Sequence, residues 1–179
     1  LPDVSDVKKG SIYVIKYRMT NEDYDNVRLA ANNFVKQTLT TVNATTRAMS
    51  TVNPVNWAVD NGCYVDLPEV GERVNTDPAL VLGTLVVNSN VVASGDVCKA
   101  GGSSWANYLD YRTCGPVANV VSKKLGDAIA TRPTIVKLPN NKIINLTRLS
   151  NDSTATQEVP VATKPGPTRR LSWRDLVRE

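Results

Sequence analysis

Histidine is absent from this chain of 179 residues. That removes Ser-His-Asp and Cys-His catalysis, histidine-bound zinc and most proton shuttles. Cysteine is scarce as well: Cys63, Cys98 and Cys114 cannot build a four-thiolate zinc site within the chain. No run approaches eighteen apolar residues, so no membrane-spanning helix is expected. The opening Leu1-Pro2-Asp3-Val4 has neither a basic start nor an apolar stretch behind it, and an export signal is expected only outside these residues. Aromatic residues amount to 6%, and the net charge of +4 is spread from Lys8 to Arg178, with a local basic cluster only at Arg169, Arg170, Arg174 and Arg178. Nucleic-acid binding needs a coherent basic stripe with aromatic platforms, so the dispersed charge reads as a solvated surface and no nucleic-acid partner is expected.

What is present is valine, threonine and asparagine, a mixture that favours strands and polar turns. The length fits one domain or part of a larger one. "GSIYVIKYR" (10–18) has apolar residues pointing both ways and predicts a strand buried on two faces. A short helix is expected near 23–34, where Tyr24, Val27, Ala31 and Phe34 approximate one face behind a possible Thr20 cap. Residues 38–57 read as a polar excursion. Next come a hairpin strand at Cys63–Leu67, a turn at Pro68–Gly71, and strands at 83–89, 103–109 and 116–122. Strands at 133–138 and 141–147 joined by Pro139-Asn140-Asn141, and another at 156–163, complete an antiparallel all-β pattern. "TKPGPTRR" (163–170) resembles an extended linker, and Ser172-x-x-Asp175 a capping box for one helical turn.

Chemical motifs are few. Asp66, Glu69 and Glu72 bracket the predicted hairpin and could form a carboxylate pair for acid/base work. Arg73 offers an ion-pair partner, however, and the structural reading of Asp66, Glu72 and Arg73 is preferred. Neither this cluster nor Asn151-Asp152-Ser153 has the alternating oxygen ligands and central glycine of a calcium loop, so no metal site is assigned. "CKAGGSSW" lacks the spacing of a phosphate-binding loop. Gly101 and Gly102 are better read as a turn or bulge that admits Trp105 to the sheet. Trp57, Trp105 and Trp173 could line a ligand site, but lone tryptophans in β domains usually fill the core. Trp105 and Leu109 are expected to face a layer shared with Val86. Sequons at Asn43, Asn145 and Asn151 would matter only in a eukaryotic secretory protein.

"GCYVDLPEVGERVNTDPALVLGTLVV", "CKAGGSSWANYLDYRTCGPV" and the closing "RRLSWRDLVRE" together resemble the type IV pilus tip adhesins of the PilY/PilC type, in their C-terminal β-propeller. The resemblance covers residues 62–122 and 168–178, and residues 1–61 agree only loosely. It implies antiparallel four-stranded blades, with residues 1–167 as the C-terminal part of a larger propeller and 168–179 as a tail. A blade takes about 40 residues and a closed propeller needs about 4–8, so open sheet edges are expected, paired by preceding sequence or another polypeptide. It further implies a non-enzymatic adhesin and assembly factor at the pilus tip, exported through the periplasm to the cell surface, with minor pilins and a host-cell or surface receptor as partners. No cofactor is expected, and calcium could be bound only elsewhere in a longer protein. The alternatives are a quinoprotein-dehydrogenase-like propeller enzyme and an unrelated secreted or viral β-sandwich.

Two departures from the family pattern bear on the cysteines. Cys63 stands where an aromatic is expected after Gly62, and Cys114 where a glycine is expected after Thr113. Two displaced cysteines suggest a Cys63–Cys114 disulfide, which export would permit. A straight strand between Cys98 and Cys114 would hold those two well beyond the ~7 Å bridging limit. Cys98 is therefore expected outside the pair, free or bonded to another chain. The alternative is that Cys63 and Cys114 are buried free thiols.

Overall fold

The computed structural model describes residues 9–19, 23–24, 26–92 and 101–162. Among them are thirteen strands, one 3-10 turn at Ala30–Asn32 and no α-helix. The strands form three sheets. The first joins β1 (Ser11–Ile15), β5 (Gly62–Asp66) and β2 (Phe34–Thr38), antiparallel between β1 and β5 and parallel between β5 and β2. The second is seven-stranded and curls into a half-barrel. It runs β3 (Thr40–Asn43), β4 (Thr46–Ala48), β10 (Ser122–Gly126), β9 (Gly102–Asp110), β8 (Thr84–Val92) and β6 (Glu72–Arg73), with β7 (Ala79–Val81) also pairing β8. The third is the meander β11 (Thr134–Lys137), β12 (Ile143–Arg148), β13 (Thr154–Glu158).

The curled sheet lies between the other two. Val87, Leu109 and Val121 on one face meet Ile12, Leu39, Val65 and Leu67 of the first layer. Val86, Ala106 and Tyr108 on the other face meet Ile143, Leu149 and Val159 of the third. Strands β8 and β9 are thus covered on both faces, which explains their long buried runs.

Several expected elements differ, each for a physical reason. Strand β1 is buried on one face only: Ile12 is 8% exposed, while Tyr13 and Ile15 on the outer side are 39% and 51% exposed. The helix near 23–34 is replaced by turns, the short 3-10 turn and the start of β2, because Phe34 pairs beside Gly62 in the sheet. The 38–57 excursion contains the β3–β4 hairpin, closed by Asn43 Oδ1 accepting the Thr45 amide at 2.9 Å. Strand 116–122 begins only at Ser122. The preceding residues form a loop anchored by a Leu109–Pro116 bridge and by Val121 O accepting the Tyr108 N–H at 2.8 Å.

The hairpin expected from the Cys63–Leu67 strand and the 68–71 turn does not form. Both edges of β5 are occupied, by β1 and β2, so β6 has nowhere to pair there and joins β8 in the curled sheet. Leu67, fully buried, marks the crossing from one layer to the next. The 139–141 turn is present between β11 and β12, with Asn141 at φ 64°. Cys98, Trp173, the 163–170 linker and the capping motif at Ser172 and Asp175 lie outside the described residues. Among the described residues there is no helix long and apolar enough to cross a membrane.

Candidate functional site

Asp66 ends β5 and looks outward. Its carboxylate accepts Ser11 Oγ at 2.7 Å and Arg28 Nη2 at 2.5 Å, and lies 3.1 Å from Lys36 Nζ. The Arg28 guanidinium is the main cause holding this carboxyl well below the usual aspartate range, against the opposing effect of burial. Arg28 also lies over Tyr64 at 4.9 Å and Tyr13 at 5.9 Å, rings that stack with centroids 5.7 Å apart. This cluster ties the 26–32 loop to the outer face of the first sheet.

Glu72 is fully buried. Its Oε1 accepts Arg47 Nη1 at 2.8 Å and Ser89 Oγ at 2.5 Å, and the Arg47 guanidinium also pairs with Glu69. That guanidinium lies 3.7 Å over the Trp105 ring. The polar line continues through Asn107 Nδ2, which donates to Ser89 Oγ at 3.0 Å, to Ser122 Oγ, which donates to Asn107 Oδ1 at 2.6 Å. Arg47 is on β4 and Glu72 on β6, four inter-strand steps apart. In a flat sheet that is about 19 Å at ~4.8 Å per step, beyond the reach of the two side chains. The curl closes the gap, and the pair is a strut across the concave face. It was not legible beforehand, since nothing in the sequence marks Arg47 as opposite Glu72.

The partners expected for the carboxylates therefore change. Asp66 is held by Arg28 and Lys36 and Glu72 by Arg47, while Arg73 Nη1 donates to the Glu72 carbonyl at 3.0 Å. Asp66 and Glu72 belong to separate sheets, so the structure does not bring them together as a catalytic pair. Among the described residues no three His, Cys, Asp or Glu side chains converge as a metal-binding group.

Trp105 is buried at 3% exposure, but the layer expected for it is corrected. Across the β8–β9 ladder Trp105 opposes Ser89 and Leu109 opposes Leu85, whereas Val86 opposes Tyr108 on the other face. Gly102 begins β9 opposite Val92, with no register shift, so it is not a bulge. A methyl group there would meet the Val91 carbonyl oxygen at 2.2 Å and Ile129 Cδ1 at 2.8 Å. Its role is close backbone approach. Gly101 immediately precedes the strand.

Cys63 and Cys114 form a disulfide, with Cα atoms 5.9 Å apart, that joins β5 to the turn after β9 across two layers. Cys114 has φ 52° and donates its N–H to Asp110 O at 2.9 Å. Beside it the buried Gln37 donates to Thr113 O at 2.9 Å and to Asn53 O at 2.6 Å. A bond of this kind persists in oxidising compartments.

On the opposite face the polar groups are neutral. Asn90 accepts the Ala130 N–H at 2.7 Å and donates to Ala130 O at 3.0 Å, and Asn88 donates to Thr131 O and Thr147 Oγ1. Burial pushes the Tyr108 phenol up to about 12. Of the three sequons, Asn145 is fully buried on this face. Comparison with family models, curated proteins and solved structures finds no match.

Proposed function

We propose that this chain is part of a non-enzymatic adhesin and assembly factor of the PilY/PilC type, at the tip of type IV pili. The observation that carries the reading is the ordered series of family-like blocks over 62–122 and 168–178. The positions of those blocks support it physically. Where the family pattern has glycine and this chain has Cys114, the backbone is left-handed at φ 52°, a conformation that favours glycine. At the pattern's Gly62 a methyl group would strike the Val14 carbonyl oxygen at 2.3 Å and the Phe34 ring at 2.6 Å. The Gly-Glu-Arg-Val block supplies the buried Glu72, and the Ser-Trp block supplies the buried Trp105.

The propeller is part of the proposal: its blades would be sheets stacked face to face, with further strands supplied by the rest of a longer protein. So is the location, outside the cell at the pilus tip, which the Cys63–Cys114 bond favours. Its work is interfacial. A cross-linked sheet body presents edges and loops to minor pilins and to a host-cell or other surface. The test is recovery of the native protein from sheared surface filaments and identification of what co-purifies. Minor pilins in stoichiometric amount are the expected result. Their absence, or the absorbance of a bound quinone, overturns the assignment.

A further inference from the structure

Among the described residues, the flank of the first sheet along β1 has no neighbouring strand. Leu67 N donates to Gly10 O and Lys16 N donates to Asn61 O, so the even-numbered residues of this segment bond toward β5. In an antiparallel ladder the alternate residues then aim their N–H and C=O the other way. Ser11, Tyr13 and Ile15 therefore present a backbone edge that no other described strand pairs. Beside that edge lies a cleft of about 450 Å³, walled by Ile12 and Val14 and by Leu80, Leu85 and Val87 of the curled sheet. A fourth strand placed about 4.8 Å beyond β1 would cover these side chains.

We infer that this edge is a strand-addition site, whose occupant is an extended segment of another polypeptide with apolar residues at alternate positions and acidic flanks. The apolar requirement comes from the cleft. The acidic requirement comes from charge: residues 9–17 carry Lys9 and Lys16 and no acid. Lys16 Nζ reaches the Trp57 carbonyl, which spends a hydrogen bond but leaves the charge uncompensated. A second copy of this chain offers no charge complement, because its own β1 segment carries Lys9 and Lys16 and no acid. Tyr13, Ile15, Tyr17 and Met19, at 39%, 51%, 80% and 85% exposure, extend the apolar row on which the added strand's outer residues would lean.

The inference is independent of the pilus assignment. Failure to recover pilins leaves strand addition at β1 intact, and failure of strand addition leaves that assignment to its own test. The probe is the synthetic peptide Asp-Val-Thr-Val-Thr-Val-Glu, offered to the oxidised 179-residue protein. Binding is followed by titration calorimetry and by amide hydrogen exchange. The expected result is slowing of exchange at Tyr13 and Ile15 by at least about tenfold, with little change along β5. Ile15→Pro removes an outward-facing donor and should abolish binding, whereas Ile15→Ala should retain it. Leu80→Glu sits on the opposite wall, where it cannot disturb β1, and should weaken the acidic peptide by about tenfold or more. Three outcomes overturn the inference: no binding to folded protein, equal binding by a peptide with lysine in place of its acids, or Tyr13 and Ile15 amides already protected without peptide.

Discussion

Two faces of one strand pair, β8 and β9, bury polar side chains in different chemical forms. Toward the first sheet the groups include a full charge pair, Arg47 with Glu72. Toward the third they are amides, hydroxyls and one phenol: Asn88, Asn90, Thr147 and Tyr108. The difference follows from what each face must satisfy. On the third-sheet side the irregular backbone at 130–131 needs partners, and an asparagine amide, like the peptide itself, both donates and accepts. On the concave side two distant strands must be held across a gap, and only long side chains ending in strong, directional groups reach. The charged face should therefore be intolerant of losing one partner, and the neutral face should fail by smaller steps.

Removing one end of the strut sharpens this contrast most. Glu72→Ala leaves Arg47 buried beside Trp105 with only the partly exposed Glu69, and should destabilise by about 3–5 kcal/mol in urea unfolding. The double replacement Arg47→Met with Glu72→Leu should recover most of that loss. If the double variant is as unstable as the single one, the charge is not what distinguishes the two faces. Next comes the covalent link between layers. Reducing the Cys63–Cys114 bond, which spans 51 residues, should cost about 4 kcal/mol in the loop-entropy account. Non-reducing peptide mapping should return the Cys63–Cys114 peptide. Three alkylatable thiols would instead leave the layers held by packing alone.

On the neutral face, Asn90→Ala breaks two bonds to Ala130 and should cost about 1–3 kcal/mol. A loss equal to that of Glu72→Ala would erase the comparison. Titration also separates the neutral face from the outer surface of the first sheet, where Asp66 lies. Burial raises the Tyr108 phenol to about 12, so its contribution is complete below the ordinary tyrosine range and is lost as pH rises toward 12. Tyr108→Phe should flatten the alkaline limb of the stability profile. Asp66 behaves in the opposite sense: Arg28 depresses its carboxyl, so its contribution is present above the ordinary aspartate range and fades as pH falls below it. With Arg28 well exposed, Asp66→Asn should change the acid limb by at most about 1 kcal/mol.

Much of this was readable from residue order, and the failures have a common cause. Alternation located β5, β8, β9 and the β11–β12 turn, because local pleat and turn chemistry decide those segments. The Cys63–Cys114 pairing followed from two departures in one family-like pattern. What escaped depends on which strand lies next to which. The strand at Cys63–Leu67 was misread as half of a hairpin because β5 already had two neighbours, and the strand expected at 116–122 begins only at Ser122, where β4 and β9 lie on either side to pair it. Val86 was placed on the wrong face by a single residue, the smallest error that period-two patterning allows and one that reverses every contact. Arg47 gave no signal at all, since its partner is fixed by curvature.

The β3–β4 hairpin is made early in the chain yet docks against β10, with Arg47 opposite Ser122. During synthesis it must wait, solvated, until β5 through β9 have emerged and the final edge has been laid down. Pairings of such long sequence separation slow folding, because loop closure precedes any reward. The strut would thus close among the last contacts to form. Disulfide formation takes longer still, so in an oxidising compartment Cys63 would be joined to Cys114 after the curl has closed, fixing layers that strand pairing has already brought together.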